Sequence, residues 1–185
     1  MARAAAPFSP HARLFLALWP SPAVRAQLVA WRDAWRWPPG ATPTPDERLH
    51  LTLHFIGAVA RARVGEIADA LEIRGGRFEL AFGRPEVWPG GIAVLRPDAV
   101  PARLAALHAA LGTRLLALGL RVEDRPFRAH VTCARRAQGA TPPAMARGAM
   151  RWAVRGHALV ESRMGAGGGY IVLRRYPAAR ASSTG

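Results

Sequence analysis

Two short segments of the 185-residue chain carry the residue types of acid–base chemistry at one and the same spacing: His50-Leu51-Thr52-Leu53 and His130-Val131-Thr132-Cys133. In an extended strand, residues i and i+2 point to one side and their neighbours to the other. Each His is therefore expected to share a face with its Thr, while Leu51, Leu53, Phe55, Val131 and Cys133 bury the opposite face. A polar pair projecting from an otherwise apolar strand has to be hydrogen-bonded, solvated in a cleft, or both. Six His and seven Thr in a chain of this length give roughly 0.2 His-x-Thr triplets by chance, so two in matching strand settings are a specific signal.

Imidazole titrates near neutrality and can either take or give a proton. A matched pair can hold one neutral and one protonated ring. That is what opening a cyclic phosphodiester requires: a base for the attacking water and an acid for the departing oxygen. Charge on the non-bridging oxygens can be met by Thr52 and Thr132 hydroxyls or by a guanidinium. Arg128, two residues before His130, is expected on the same face and near the phosphate; an exposed basic residue is its plainer reading, and Arg135 is a weaker candidate.

No metal is needed for this chemistry. The trio His50, His54 and His130 could be imagined as ligands, but no carboxylate or thiolate lies at a ligand-like spacing. His54 is expected on the face of His50, as a rim or strand-end residue. Satisfied, half-buried structural histidines are the other reading of the pair, and Thr at i+2 is expected to be a poor partner for its His. His11, His108 and His157 read as ordinary surface or helix residues. Cys133 sits on the apolar side and Ser162 follows no nucleophile-elbow pattern, so neither suggests covalent catalysis. The run Gly165 to Gly169 lacks a Gly-Lys-Ser/Thr ending and leads into a strand, which makes it a turn or a lip over the cleft. Phe15 and the six Trp could stack on a base, although most, Trp31 above all, read as core.

The elements that must hold these residues alternate. Arg13 to Trp19 reads as a buried strand ended by Pro20. Ser21 can cap a following helix with Pro22 in its first turn, and Val24, Leu28 and Trp31 recur at helical spacing. Trp37 to Pro45 is a loop leading into the segment Leu49 to Ile56. Val64, Ile67, Ala68 and Leu71 mark a second helix broken by Gly75-Gly76. Strands follow at Phe78 to Phe82 and Ile92 to Leu95, separated by Gly90-Gly91. Asp98 is expected to open the longest helix, lined by Leu104, Leu107, Leu111, Leu115 and Leu118. Then come a strand from Phe127 to Ala134, an Ala/Pro/Gly-rich loop, and strands near Leu159 to Arg163 and Tyr170 to Leu173. The fold class is α+β: two pseudo-symmetric lobes, each with an antiparallel-rich sheet flanked by helices, around a central cleft. Residues 1–12 read as a loose arm, 13–177 as one domain and 178–185 as a loose tail.

The formal charge is +14, its 26 basic residues all Arg, which favours a polyanionic or phosphorylated partner over a neutral one; a composition rich in Arg for solubility alone is the plainer alternative. A single cysteine excludes an internal disulfide and suits a reducing cytoplasm. The apolar run Leu14 to Leu18 behind Arg3 loosely resembles an export signal, but it is short and closely followed by Pro20, as expected of a buried strand. No run approaches the roughly 20 apolar residues of a membrane span.

The segments HLTLHFIG (His50 to Gly57) and RPFRAHVTCAR (Arg125 to Arg135), with RLFLALWP near the start and GGGYIVLRRYP near the end, resemble the bacterial RNA 2′,3′-cyclic phosphodiesterases. These belong to the two-histidine phosphoesterase superfamily and were first named 2′-5′ RNA ligases. The resemblance spans Arg13 to Pro177. It implies that His50 is the general acid, that His130 is the general base and that Thr52 and Thr132 bind phosphate. The implied reaction is hydrolysis of a terminal 2′,3′-cyclic phosphate to a 2′-phosphate without a cofactor; the expected substrates are RNA ends, tRNA halves among them, and the expected state is a monomer. Two departures stand out: Cys133 where an apolar residue such as Leu is commoner, and Ala129 where Pro is frequent. Alternatives are 2′-5′ joining of RNA ends, hydrolysis of small cyclic nucleotides, or a basic RNA-binding module without turnover.

Overall fold

The computed structural model describes residues 9–144, 149–163 and 168–179. Of the expected arm and tail, residues 1–8 and 180–185 lie outside the described residues, as do residues 164–167 around the Gly-rich run. The first strand, β1 (His11–Leu18), takes in the last two residues of the expected arm. At the other end, Ala178 and Ala179 donate backbone hydrogen bonds to Arg155 (2.8 Å) and Gly75 (2.9 Å).

The apolar run of β1 is continuous because both faces of the strand are covered. Leu14, Leu16 and Leu18 join the main core, whereas Phe15 and Ala17 form a smaller cluster with Ala158 and Val160 on the other face. The chain then enters α1 (Pro22–Asp33), where Ser21 Oγ accepts from Val24 N–H at 3.3 Å and Val24, Leu28 and Trp31 are buried. A short β2 (Thr42–Pro43) lies in the expected loop. β3 (Leu51–Ala60) and α2 (Val64–Ala70) follow, then β4 (Phe78–Trp88) and β5 (Ile92–Pro97). α3 (Ala102–Ala117) precedes β6 (Val131–Arg135), β7 (Met150–Val154), β8 (Gly156–Ser162) and β9 (Tyr170–Pro177).

Three expectations are corrected here. Asp98 does not open α3: its N–H bonds back to Ala81, and Pro101 occupies the cap position. Pro101 is itself extended, at φ −61° and ψ 147°, and a proline disfavours helical backbone in the residue before it, so the helix begins after it. β7 falls in the stretch read as loop, yet Met150, Trp152 and Val154 alternate into the core. β4 runs well past Phe82, through the polar residues Arg84 and Glu86, to Trp88.

The pairings between these strands are all antiparallel, and the described strands form one sheet in the order β7-β4-β5-β6-β3-β1-β8-β9, with β2 on β6. The two expected lobes are its halves, β7-β4-β5-β6 and β3-β1-β8-β9, which meet at the single pair Leu51–Val131. The helices are exchanged: α1 follows a strand of the second half and packs against β7, while α3 follows β5 of the first half and packs against β3. The main core lies between helices and sheet and takes Leu104, Leu107, Leu111 and Leu115 from α3. The sheet's other face is left for the smaller cluster and the two histidines.

Candidate active site

The Leu51–Val131 pair brings the two His-x-Thr segments together. An antiparallel register through that pair sets His50 opposite Thr132 and Thr52 opposite His130. Both histidines and both threonines are half-buried, while Leu51, Val131 and Cys133 are closed into the core. The expected alternation therefore holds across the join. Cys133 is 1 % exposed and burial pushes its thiol far up, which keeps it out of the chemistry. Ala129 is likewise packed away, so neither departure from the family pattern reaches the cleft.

Both imidazoles are hung in the same way. His50 Nδ1 lies 2.6 Å from the Arg48 carbonyl, and His130 Nδ1 lies 2.6 Å from the Arg128 carbonyl. A carbonyl only accepts, so each Nδ1 carries the hydrogen and each Nε2 is left as the atom that exchanges protons. His50 Nε2 is 3.0 Å from Thr52 Oγ1. With His50 neutral, the Thr52 hydroxyl donates to it. Thr at i+2 thus does partner its histidine, contrary to expectation, because the pleat brings the two side chains side by side on one face.

Burial drives both rings toward the neutral form. His50 is lowered to about 4 by desolvation, with the charges of His130 and Arg25 adding to the effect. His130 is lowered by burial first and then by Arg125, Arg128 and Arg96, against the opposing hydrogen bond to Arg128. Both shifts therefore favour neutral imidazoles near pH 7. The influence of His130 on His50 is in keeping with two rings that share one neighbourhood.

Aromatic side chains wall the site. Around His50 stand Phe15 (ring centroids 4.9 Å), Tyr170 (5.3 Å) and Trp19, stacked at 5.7 Å and 20°. Arg25 lies over Trp19 and Arg48 over Tyr170. Around His130 stands Trp88, at 4.5 Å. Arg128 is exposed, with its guanidinium carbon 4.1 Å from the Trp88 ring centre, so it stands at the wall beside His130 as well as anchoring it through the backbone. Arg135 is exposed at the end of β6.

Sequence reading missed Glu86 and Arg96 on one side and Tyr170 on the other, and it had Trp88 only as one of six Trp that could stack. The signal for the first group was present: Arg84, Glu86 and Trp88 sit at strand spacing, but their polarity disguised the strand. Trp19 and Phe15 were legible only as aromatics that could stack.

His54 is not part of this site. The register of β3 against β1 shifts twice, with Ala17 opposite Thr52 but Leu16 opposite His54, and Phe15 opposite Phe55 but Leu14 opposite Gly57. Each shift inserts one extra residue, Leu53 and then Ile56, as a bulge. The first bulge turns His54 into the core and Phe55 out of it. His54 is 5 % exposed; it reaches the His108 carbonyl at 2.8 Å and stacks on the His108 ring at 4.0 Å. Gly112 of α3 faces the His54 ring, a Cβ there standing 3.4 Å from His54 Cε1. Phe55, expected in the core, is 52 % exposed and faces Phe15. Gly57, at φ +85°, supplies the left-handed backbone that the second bulge needs. The imagined trio His50, His54 and His130 is therefore not assembled. Among the described residues, no three His, Cys, Asp or Glu side chains are grouped so as to hold a metal. His157, expected to be a surface or helix residue, lies in β8, buried against Tyr176 and the Leu71 carbonyl, and His108, on α3, packs between His54 and Phe127.

Known proteins share sequence and fold with this chain. The model of the family described as LigT like Phosphoesterase matches residues 18–93. The chain is 31% identical to the RNA 2′,3′-cyclic phosphodiesterase of Thermus thermophilus, an alignment covering 89% of each protein. The crystal structure of E. coli LigT in apo form superposes with a TM-score of 0.82 at 28% identity, covering 93% of this chain and 100% of that one. E. coli LigT complexed with 3′-AMP gives 0.81 at 27% identity, over 92% and 99%. The chain belongs to the LigT-like phosphoesterase family. The α+β reading and the resemblance carried by HLTLHFIG and RPFRAHVTCAR are thereby borne out.

Proposed function

We propose that this protein hydrolyses the terminal 2′,3′-cyclic phosphate of RNA to a 2′-phosphate, with His50 as general acid, His130 as general base and no metal in the step. The observation that carries the reading is the matched suspension of the two rings, each Nδ1 tied to the carbonyl two residues before it and each Nε2 left to exchange protons. The Thermus relative bears the name of this activity, and E. coli LigT binds 3′-AMP, a ribonucleotide.

Water attacks phosphorus opposite O3′, and His130 Nε2 takes its proton. The P–O3′ bond breaks, and His50 Nε2–H gives its proton to O3′, leaving a 3′-hydroxyl and a 2′-phosphate. Thr52, Thr132 and Arg128 donate to the non-bridging oxygens. The low proton affinity of His50 in the empty site stands against an acid role, and the substrate removes the conflict. A phosphodiester anion placed between the rings favours the imidazolium. Once His50 is protonated, Nε2–H donates to Thr52 Oγ1 and frees the Thr52 hydroxyl hydrogen for a phosphate oxygen. Acid and phosphate grip are then armed together.

RNA ends such as tRNA halves are the substrates proposed, met by a monomer in a reducing cytoplasm, in keeping with the +14 charge and one buried thiol. The test is incubation with an RNA ending in a 2′,3′-cyclic phosphate, with EDTA present. A 2′-phosphate is expected, and His50→Ala and His130→Ala should each lose about 10²–10⁴-fold in kcat while remaining folded. A 3′-phosphate product, dependence on added metal, or wild-type turnover by both variants would refute the reading.

A further inference from the structure

Four cationic or polar groups converge on one carboxylate that the mechanism above leaves unused. Glu86 Oε2 accepts from Trp88 Nε1 at 2.7 Å, and Glu86 Oε1 accepts from Arg96 at 2.8 Å. Arg128 stands 3.5 Å from Oε2 and Arg84 3.6 Å from Oε1. The register places this carboxylate in a row with the site, since Glu86 is opposite Val94 on β5 and Val94 is opposite Thr132 on β6. Trp88, whose indole N–H Glu86 holds, packs on His130 and carries Arg128 on its ring.

We propose that Glu86 is a positioning residue for the second histidine, holding Trp88 against the His130 ring and Arg128 over Trp88 at the cleft wall. This inference rests on the assignment of His130 as the base. The indole cannot turn without giving up its hydrogen bond, and Arg128 cannot swing away without leaving both Glu86 and the ring it covers. The carboxylate has a second effect. The guanidiniums that lower His130 are Arg125, which is paired with Glu123, and Arg128 from the segment before it, and Arg96 from β5; Glu86 and Arg84 of β4 adjoin the last two, and His50 stands across the join. Glu86 is ion-paired with Arg96 and Arg128, two of the guanidiniums that disfavour the imidazolium, and it acts on His130 by neutralising them. Burial works against its own ionisation, but the hydrogen bonds from Trp88 and Arg96 and the charges of Arg96 and Arg84 hold it below the usual carboxylate range.

The test is Glu86→Gln, which keeps an acceptor for the indole and removes the charge, read by NMR titration of the His130 ring and by the pH profile of kcat/KM. The His130 titration and the acidic limb of the profile should both move to lower pH, the His50 titration should move less, and kcat/KM at neutral pH should fall about 3–10-fold. Glu86→Asp should restore part of the shift. An unchanged His130 titration in Glu86→Gln, or a loss of activity without movement of the pH profile, overturns the proposal. The NMR reading needs no turnover. If His130→Ala proves fully active, the acid–base assignment fails, while the titration still decides whether Glu86 governs that ring.

Discussion

His50 and His130 hang from carbonyls by the same bond, yet their surroundings differ: three aromatic rings crowd the first, and one indole with several guanidiniums borders the second. The consequence is testable in the pH dependence. The working form holds one proton between two rings. In the free protein both rings sit below their ordinary range, His50 at about 4, so that form is populated at acid pH and fades as pH rises. A bound phosphodiester anion raises both. The optimum of kcat/KM, which reports the free protein, should therefore lie at lower pH than the optimum of kcat, which reports the complex. Coincident or reversed optima would contradict the electrostatics. At this scale the pair and its threonines were legible, because type and spacing alone set two polar residues on one face. The aromatic wall was not, since nothing in one strand tells which distant ring will stand beside it.

Elements place these residues, and their signals were uneven. Ser21 capping α1 ahead of Pro22 was legible, because a cap is a local hydrogen bond. Ser21→Ala should cost about 1 kcal/mol of stability in urea unfolding and leave kcat unchanged; no loss of stability would show that the cap contributes nothing. The start of α3 was misread because Asp98 resembles a cap, whereas Pro101 decides where helical backbone can begin. β7 was hidden because a five-residue strand beside an Ala/Pro/Gly-rich stretch has too little pattern to rise above it. The faces of His54 and Phe55 were reversed by the bulge at Leu53. That extra residue is specified by pairing with β1, so β3 read alone shows only an unbroken alternation.

For the molecule as a whole, five histidines titrate below their ordinary value for a shared first cause, burial: His50, His54, His108, His130 and His157. Unfolded, such groups bind protons near pH 6.5. The unfolded chain therefore takes up more protons below that point, and stability must fall as pH drops from about 6.5 toward about 4. Glu86 and Glu161, both held below the carboxylate range, add a loss of the same sign at the lower end of that window and beyond it. Thermal unfolding at pH 7, 5.5 and 4 should show a progressive drop in Tm; a flat or rising Tm would contradict the buried neutral histidines. The two-lobed plan was legible from the doubled motif, but the joining of the lobes into one sheet through Leu51–Val131 was not, because a single pair between distant strands leaves no local trace.

The claim on which the account turns is that two imidazoles divide one task, His130 drawing a proton from water and His50 supplying one to the departing ribose oxygen. A cyclic substrate with sulfur in place of the bridging 3′ oxygen separates these roles, since a thiolate leaves without protonation. His50→Ala should recover most of its lost rate on that substrate, relative to wild type, and His130→Ala should not. Equal impairment of both variants on both substrates, or recovery by His130→Ala alone, would contradict the assignment.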